Sequence, residues 1–518
     1  MKILYINPGR IKAGLDYIIK GQPLNLLTLA GMVPEHDATL IDYKVQDYNE
    51  TQLERELNRH DVVALTSMTP QIYSALEIAD LAKQRGCKTI IGGYHPTLSP
   101  NFTANKECID YLVRGEGEHT FRELITFLDD NQDNVSKKDI KGISYKDKNG
   151  KIIHTENRPL EPNLDNFPMP RRDLIDYKDY MYLGTRLGLL ESSRGCPHSC
   201  KFCCIHKMWK DPKLSYRTKS VKRIMREIYD IDWKNDFIFF CEDNFTINVN
   251  RTKRILNTII NSGIPNEMFL SCQSRIDTLD RNPWLIDLMH EAGMRQVFLG
   301  IESVHQQSLN AMNKRNTTPK MTREVVNALQ DRGISIFGGV IIGYPGETKK
   351  MVRQTIQFVK SLELTVVQFT PITAFPGTQF YDEMKSAGKV VTDDYRRYNL
   401  FHSMMHTDEL SAKEMYELVV EAYSSYYLGE KWLKMLIKRY LNPFGKFNWM
   451  SYMIPNFIRQ FITGGLKMLR SQGITSSRVS EELEELIEKS EEFEEKTGET
   501  FKIEEQIIPK GTKNAALD

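Results

Sequence analysis

Residues 194–204 read Arg-Gly-Cys-Pro-His-Ser-Cys-Lys-Phe-Cys-Cys, and the spacing of their cysteines decides the fold. Cys196, Cys200 and Cys203 form a Cys-x3-Cys-x2-Cys pattern shortly after a predicted strand, residues 188–191. The three cysteines therefore belong to a loop at the carboxyl end of that strand. Three thiolates can bind three irons of a [4Fe–4S] cube, which leaves the fourth iron open to another ligand. The pattern predicts a cluster that binds a small molecule directly.

A structural zinc site is the alternative for the same cysteines. It would need four ligands in a closed tetrahedron, and Cys204, His198 or His206 could supply the fourth. Zinc fingers usually bring their ligands from two separated pairs, however, and no second pair follows in this sequence. We therefore favour the iron–sulfur interpretation and treat Cys204 and the two histidines as loop residues without a metal.

The composition of the chain limits the remaining possibilities. Its 518 residues are 41 % hydrophobic and 26 % charged, which fits about three folded domains. Sixty-nine Lys and Arg balance 68 Asp and Glu, so the chain is not a globally basic protein and no nucleic-acid partner is expected. Eight cysteines are too few for a disulfide scaffold, and four of them lie within nine residues, as is typical of metal binding in a reducing compartment. Neither a secretory signal nor an apolar run of about 18 residues is visible, so we expect a cytoplasmic protein.

Strand-like and helix-like segments alternate around the cysteines, from residue 186 to residue 400. The predicted strands are residues 188–191, 236–241, 268–273, 296–301, 335–342 and 365–370. Six strand–helix repeats without a reversal predict a partial (β/α)6 barrel of the TIM type. In that architecture, the active residues come from the carboxyl ends of the strands and the loops after them.

The first 140 residues show the same alternation and predict a separate Rossmann-like α/β domain with a parallel sheet. Ligands of such sheets lie at the carboxyl ends of the strands, where small and polar residues collect in this sequence. The candidates are Asn7, Pro8, Thr66, Ser67, Gly92, Gly93, His95, Gly115 and Glu116. The alternative is that the two adjacent glycines only form a turn between a strand and a helix.

The rest of the chain connects or follows these two domains. Residues 141–185 are predicted to be a linker with a β-hairpin turning at Asn149-Gly150. Residues 401–518 are predicted to be helical, and within them 431–470 contain eight Lys or Arg, no Asp or Glu and two Trp. Such a basic amphipathic segment favours peripheral contact with an anionic membrane surface, and a helical cap with a solvated basic face is the alternative. An acidic tail follows, with ten Glu in residues 481–500.

The cysteine pattern, with the aromatic Phe202 before its third cysteine, resembles the radical S-adenosylmethionine (SAM) enzymes. The resemblance implies that Cys196, Cys200 and Cys203 bind a [4Fe–4S] cluster and that Phe202 flanks the adenine of SAM. It also implies that one electron cleaves SAM to a 5′-deoxyadenosyl radical, which abstracts hydrogen from an unactivated carbon. Further SAM contacts are implied at the strand ends, namely Glu242, Asp243, Gln273, Arg275, Gly300, Glu302 and Gly343.

The N-terminal domain, next to such a barrel, resembles the cobalamin-binding domain that is fused to many of these enzymes. Its strand-end residues are then implied to contact cobalamin, and glycine there allows the backbone to approach the cofactor closely. The sequence lacks the Asp-x-His-x-x-Gly motif in which a histidine replaces the lower ligand of cobalt. His95 is therefore expected to stabilise its loop or to face a phosphate rather than to bind cobalt.

The whole chain is most similar to the lipid-acting members, including the hopanoid methylases and the archaeal tetraether-lipid ring synthases. This implies methyl transfer or carbon–carbon and ring formation on a hydrophobic, lipid-like substrate, with ferredoxin or flavodoxin as the electron donor. The magnesium-protoporphyrin ester cyclase type is a related alternative. A methylthiotransferase would bring further cysteines in its N-terminal domain, where only Cys87 and Cys108 occur. A cobalamin-sensing regulator would need an output module, for which the barrel leaves no room.

Overall fold

The computed structural model describes residues 1–9, 19–129, 136–182, 184–209, 211, 213–231, 237–266, 268–429, 431–432 and 434–435. Nearly all of the basic segment 431–470 and all of the glutamate-rich tail lie outside these residues. Among the described helices, none combines the length and the apolar character that crossing a membrane requires.

The first sheet is built from the N-terminal domain and the hairpin. Its strands are β1 (Lys2–Asn7), β2 (Asp37–Asp42), β3 (Val62–Thr66), β4 (Lys88–Gly92), β5 (Tyr111–Val113), β6 (Ile143–Lys146) and β7 (Ile152–His154). They lie in the order β2-β1-β3-β4-β5-β6-β7, and β1 to β5 are parallel, as predicted. The hairpin forms as predicted, but it is not a free linker, because β6 pairs antiparallel with β5 and extends the sheet.

Helices cover both faces of this sheet. They are α1 (Leu24–Met32), α2 (Glu50–Leu57), α3 (Ile72–Gln84), α4 (Tyr94–Leu98), α5 (Pro100–Ala104) and α6 (Glu118–Asp129). Strand β1 shows why both faces need cover, because Leu4 and Ile6 belong to one core cluster and Ile3 and Tyr5 to another. A run of apolar residues buried on both faces is typical of parallel sheets.

The second sheet is an open half-barrel. After β8 (Met181–Tyr182) and β9 (Thr185–Leu190), a short ribbon of β10 (Ser193–Arg194) and β11 (Arg217–Thr218) stands apart from it. The other strands are β12 (Phe237–Phe240), β13 (Phe269–Ser274), β14 (Met294–Glu302), β15 (Ser335–Ile342) and β16 (Val366–Pro371). The sheet order is β8-β9-β12-β13-β14-β15-β16, and the pairs from β9 to β16 are parallel. All six predicted barrel strands and the α/β fold class are therefore confirmed.

The helices of the second half lie between these strands and after them. They are α7 (Ile205–Met208), α8 (Val221–Asp230), α9 (Val249–Asn261), α10 (Ile276–Arg281), α11 (Trp284–Glu291), α12 (Gln306–Ala311), α13 (Pro319–Asp331), α14 (Lys349–Ser361), α15 (Gln379–Ser386) and α16 (Ala412–Tyr427). Several of these helices begin with a side-chain cap. In α16 the Ser411 side chain accepts from the Glu414 N–H, and the Glu414 carboxylate accepts from the Ser411 N–H.

Helix α16 covers the open edge of the half-barrel with tyrosine side chains. The Tyr427 hydroxyl accepts from the Val367 N–H at 2.7 Å and donates to the Val367 carbonyl at 2.7 Å. The Tyr423 hydroxyl accepts from the Phe369 N–H at 3.2 Å. An edge strand would otherwise present unpaired backbone groups. The hydroxyls thus replace the neighbouring strand that a closed barrel would supply.

Buried polar contacts hold the two sheets together. One Arg172 Nη donates to Gln22 Oε1 at 2.7 Å, and the other donates to the Leu189 carbonyl at 2.8 Å. Residues after the barrel return to the first domain, where Tyr395 and Tyr398 enter its hydrophobic core. The carboxyl ends of both sheets are therefore held in one fixed arrangement.

Candidate active site

The three predicted cluster cysteines share one loop between β10 and β11. Gly195 precedes them with φ +85°, and a Cβ there would collide with the Ser215 carbonyl, so only glycine fits. The far side of the loop is held by Asn313, whose Nδ2 donates to the Ser199 carbonyl at 2.9 Å. The barrel thus fixes both ends of the segment that carries Cys196 and Cys200.

The chemistry of this donor set fits an iron–sulfur cluster. Burial raises the pKa of the Cys196 and Cys203 thiols, and the neighbouring Cys200 sulfur adds to both shifts. Such thiols ionise readily only when a metal offsets their charge. Within the described ranges, no three His, Cys, Asp or Glu side chains converge on a point where one metal ion could sit. A [4Fe–4S] cube requires a wider arrangement of the cysteines, because each thiolate binds a separate iron.

Arg275 is the predicted SAM contact that the structure brings to the cysteine loop. Its Nε donates to Asp277 Oδ1 at 2.8 Å, and one Nη lies 4.0 Å from the Cys200 sulfur. Asp277 is itself buried and bonded to Arg281, so it can hold the guanidinium in place. The backbone carbonyl of Gln273, two residues before Arg275, accepts from the Phe245 N–H at 2.9 Å. This leaves a guanidinium beside the cluster loop, suited to bind a carboxylate.

The two predicted acidic contacts after β12 have different surroundings. Glu242 accepts a hydrogen bond from the Ser192 N–H at 3.2 Å and another from its hydroxyl, and burial raises the pKa of this carboxyl to about 7. Asp243 lies near the cysteine loop, where burial and then the nearby Glu191 raise its pKa to about 6. Asp243 in turn raises the pKa of Cys203. Of the pair, Asp243 is the one that faces the cluster loop.

The residues predicted to contact SAM at the ends of β14 and β15 are closely packed against neighbouring side chains. Glu302 has φ +62° at an irregularity in the β14–β15 pairing, and its carboxylate is ion-paired with Lys314. A Cβ on Gly300 would lie 2.6 Å from the Lys314 Nζ. Gly343 has φ +76°, and a Cβ there would lie 2.8 Å from the Met415 sulfur of α16. Backbone of this kind is concentrated at functional sites.

Phe202 is partly buried and packs against the barrel core. This places the aromatic ring of the cysteine motif on the barrel side of the loop. Its predicted role beside the adenine of SAM stays a prediction.

The two glycines after β4 bring that strand's end against the end of β3. Gly93 has φ +102°, and a Cβ there would lie 2.9 Å from both the nitrogen and the oxygen of Ser67. The Ser67 N–H donates to the Gly92 carbonyl at 2.9 Å. Next to it, the Thr66 hydroxyl accepts from Asn25 Nδ2 at 2.7 Å. The two glycines therefore do form a turn between strand and helix, and Gly93 is required there by a close backbone approach.

His95 is fully buried at the same strand ends. Its ring centroid lies 4.6 Å from that of Tyr395 and 5.6 Å from that of Phe102. Burial lowers the pKa of the imidazole to about 4, so the ring is neutral. Neither ring nitrogen has a hydrogen-bond partner in the part of the chain that the structure describes. Buried, unpartnered nitrogens at the carboxyl end of a parallel sheet fit the approach of a polar ligand such as the cobalamin nucleotide.

The other predicted cobalamin contacts bind protein groups. Asn7 Nδ2 donates to Asp42 Oδ1 at 2.9 Å, and Pro8 beside it is buried. The Gly115 N–H donates to the Thr97 hydroxyl at 3.0 Å. The carboxylate of Glu116 accepts from two arginines of the β10–β11 ribbon, Arg194 and Arg217, at 2.8 Å each. Its oxygens are thus engaged at the base of the cysteine loop.

Sequence reasoning missed the residue that joins the two sites, Tyr94. It follows Gly93 in the chain, and its helix α4 lies against α7, which follows the cysteines. Burial raises the pKa of the Tyr94 hydroxyl, and Asp243 and Cys203 contribute to the rise. The strand ends of the first sheet and the cysteine loop of the second therefore border the same space. Only the position of Tyr94 after two glycines could have indicated this.

Comparison with known proteins assigns both halves. Residues 190–359 match the Radical SAM superfamily, and residues 19–125 match the B12 binding domain. The chain belongs to the radical SAM enzymes that carry a B12-binding domain, and its cofactors are a [4Fe–4S] cluster, SAM and cobalamin. The predicted family and enzyme class are confirmed, against the alternative of a regulator.

The relatives include methyltransferases and cyclases. The chain is 32 % identical over 445 residues to "Uncharacterized methyltransferase PH0819" of Pyrococcus horikoshii, covering 83 % of this chain and 93 % of the relative. It is 26 % identical to the anaerobic magnesium-protoporphyrin IX monomethyl ester cyclase of Rubrivivax gelatinosus, covering 84 % and 79 %. It is 27 % identical to the hopanoid C-3 methylase of Methylococcus capsulatus, covering 81 % and 79 %.

A solved structure has the same fold. The cobalamin-dependent S-adenosylmethionine radical enzyme OxsB, with aqua-cobalamin and S-adenosylmethionine bound, superposes with a TM-score of 0.65 at 16 % identity. The match covers 91 % of this chain and 74 % of OxsB. At this identity, the similarity concerns the fold alone.

Proposed function

We propose that this enzyme functionalises an unactivated carbon of a hydrophobic, lipid-like substrate by methyl transfer or by carbon–carbon bond or ring formation. The observation that carries the proposal is the packing of α4, which follows the two glycines of the cobalamin-side loop, against α7, which follows the cysteines, because the two loops then border one space. A substrate carbon in that space would be close to both cofactors. The similarity to a hopanoid C-3 methylase supports a lipid-like substrate.

The residues around this space have distinct tasks in the proposal. Cys196, Cys200 and Cys203 would hold the cluster, and Arg275, oriented by Asp277, would bind the SAM carboxylate. When bound, the cluster with SAM supplies radical chemistry at carbon, and cobalamin supplies methyl-group chemistry.

On the cobalamin side, the loop with Gly92 and Gly93 would form the seat of the cofactor, and the unpartnered nitrogens of His95 would bind its polar part. We assign no general acid or base, because hydrogen abstraction by a radical needs none.

The substrate class suggests where the enzyme works. We propose that residues 431–470 bring it to the inner face of an anionic membrane, and that ferredoxin or flavodoxin supplies the electron. Nothing in the charge balance calls for a nucleic-acid partner. Co-sedimentation of the full chain and of a chain lacking 431–470 with anionic vesicles tests the membrane proposal. Equal binding of the two chains would contradict it.

A porphyrin-ring cyclisation is the second candidate. It is favoured by the 26 % identity to the magnesium-protoporphyrin cyclase over 84 % of this chain. Like the lipid reaction, it acts at an unactivated carbon of a large, mostly hydrophobic molecule. The two candidates differ in the pool of compounds that loss of the enzyme would change.

The test is a comparison of a deletion strain with wild type, grown with methyl-labelled methionine. Lipid and tetrapyrrole extracts are analysed by mass spectrometry, and the strain is complemented with the wild-type gene or with Cys200→Ala. In the deletion strain, we expect one lipid to lack a labelled methyl group, or to keep two hydrogens that ring formation would remove. Complementation with the wild-type gene should restore the normal lipid, and complementation with Cys200→Ala should not. A change confined to tetrapyrroles would favour the cyclase candidate, and unchanged extracts would refute both.

A further inference from the structure

The cysteine loop is closed at its base by a ribbon with two arginines facing each other. In this ribbon, β10 pairs antiparallel with β11, and Arg194 lies directly opposite Arg217. Arg194 precedes Cys196 by two residues, and both arginine side chains are at least nine-tenths buried. Like charges directly opposite in a ribbon repel each other, and burial makes an uncompensated charge more costly. The ribbon therefore needs carboxylates to offset both charges.

One carboxylate is local, since Glu191 Oε2 lies 2.8 Å from the Arg194 Nε, and two come from the N-terminal domain. Glu116 Oε1 lies 2.8 Å from an Nη of Arg194 and 2.8 Å from an Nη of Arg217, and its side chain is 5 % exposed. Glu118 Oε1 binds the other Nη of Arg194 at 2.7 Å. We call Glu116, Glu118, Arg194 and Arg217 the carboxylate clamp. Glu116 and Glu118 follow Gly115, at the strand ends where the cobalamin-binding residues are predicted.

Neighbouring groups complete the clamp and leave little room for rearrangement. The Glu161 N–H donates to Glu116 Oε2 at 2.8 Å, and the Glu161 carbonyl accepts from Arg217 at 2.8 Å. The Trp209 ring, on the cysteine side, lies 5.3 Å from the Arg217 guanidinium carbon. Charge-assisted bonds in a buried setting are strong and directional. A small change in Glu116 should therefore move the ribbon.

We propose that Glu116 is a positioning residue that fixes the cysteine loop against the cobalamin-binding domain and so sets the separation of the cluster from cobalamin. It acts through Arg194 and Arg217, to which its carboxylate is bonded. The proposal depends on the cofactors of the family and not on the substrate. A failure of the lipid assignment would leave it intact.

The test compares Glu116→Asp and Glu116→Gln with the wild-type holoenzyme. Glu116→Asp keeps the charge but is one methylene too short to reach both arginines at once. Glu123→Gln is the matched control, since Glu123 lies in the same domain and pairs with Arg158 at the surface. All four proteins are reconstituted anaerobically with iron, sulfide and cobalamin, and iron and cobalamin per chain are measured. The EPR signal of cob(II)alamin is then recorded with the cluster oxidised and with it reduced.

In wild type and in Glu123→Gln, reduction of the nearby cluster should broaden the cob(II)alamin signal and speed its relaxation. We expect Glu116→Asp to lose much of this effect while it keeps its thermal stability and its iron and cobalamin contents. A defect of folding alone would lower those contents and not the magnetic coupling. If Glu116→Gln folds but retains no cluster, the clamp is shown to hold the cysteine loop. Wild-type coupling and contents in both Glu116 variants, or equal losses in Glu123→Gln, would overturn the proposal.

Discussion

Replacing Gly93 with alanine tests how the cobalamin-side loop is built. Gly93 has φ +102° and ψ −167°, a region that almost only glycine adopts, and forcing another residue into it costs about 1–3 kcal/mol. The new Cβ would also lie 2.9 Å from the backbone of Ser67, and such overpacking costs about 1–3 kcal/mol more. Together these terms predict a loss of about 2–6 kcal/mol from the N-terminal domain.

Gly86→Ala is the matched control. Gly86 also has a positive φ, +82°, but a Cβ there would meet no atom within 4 Å. Only the left-handed backbone cost of about 1–2 kcal/mol applies. Both substitutions reduce the entropy of the unfolded chain alike, so that gain cancels in the comparison.

The assay is thermal unfolding of both variants and wild type, followed by cobalamin titration. For a domain close to 150 residues, each kcal/mol lost from the free energy of unfolding lowers the Tm by roughly 2–4 °C. Gly93→Ala should therefore melt clearly below Gly86→Ala and should bind cobalamin more weakly, because the ends of β3 and β4 must move apart. If the two variants melt together and bind cobalamin equally, the close approach at Gly93 does not shape the loop and the reasoning is refuted.

Three further substitutions test the cluster, the covered edge and a buried acid. Cys200→Ala should lose the roughly four irons gained on anaerobic reconstitution, whereas Cys272→Ala in the barrel core should keep them; equal iron contents would contradict the ligand assignment. Tyr427→Phe should cost about 1–3 kcal/mol, because it leaves two buried backbone groups of the edge strand unpaired. The exposed Tyr229→Phe should stay within about 0.5 kcal/mol in the same denaturant titration, and equal losses would argue against the edge cover. Because burial raises the pKa of Glu242 to about 7, wild type should lose stability relative to Glu242→Gln as the pH rises from about 4.5 to 7, and parallel pH profiles would contradict this.

Much of the fold could be predicted because the strand signals are local. The buried runs, such as β3 and β15, are apolar and rich in β-branched residues, and the predicted bounds of β15, residues 335–342, match the structure. The parts that could not be predicted depend on distant pairings. Nothing local shows that the hairpin pairs with β5, or that the Tyr427 hydroxyl will bond to Val367, 60 residues away.

The candidate site also has one part that the sequence predicts locally and one part that depends on distant contacts. The Cys-x3-Cys-x2-Cys pattern lies within eight residues, so its chemistry is readable from the sequence alone. The sequence predicts Glu116 as a cobalamin contact because it follows β5 among glycines, but it does not show that this carboxylate also binds Arg217, 101 residues further on. Tyr94 was missed for a related reason: only the docking of α4 on α7 brings its ring to the cysteine loop.

The two edges of the half-barrel indicate where a bulky substrate can enter. The β16 edge is closed by the tyrosines of α16. At the opposite edge, Ile19 pairs with Tyr182 of β8, and the Lys20 N–H donates to the Met181 carbonyl at 2.8 Å. With each edge bonded to another part of the chain, neither can open without breaking main-chain hydrogen bonds. The substrate proposed above would therefore reach the carboxyl ends of the strands from between the two domains, past Tyr94.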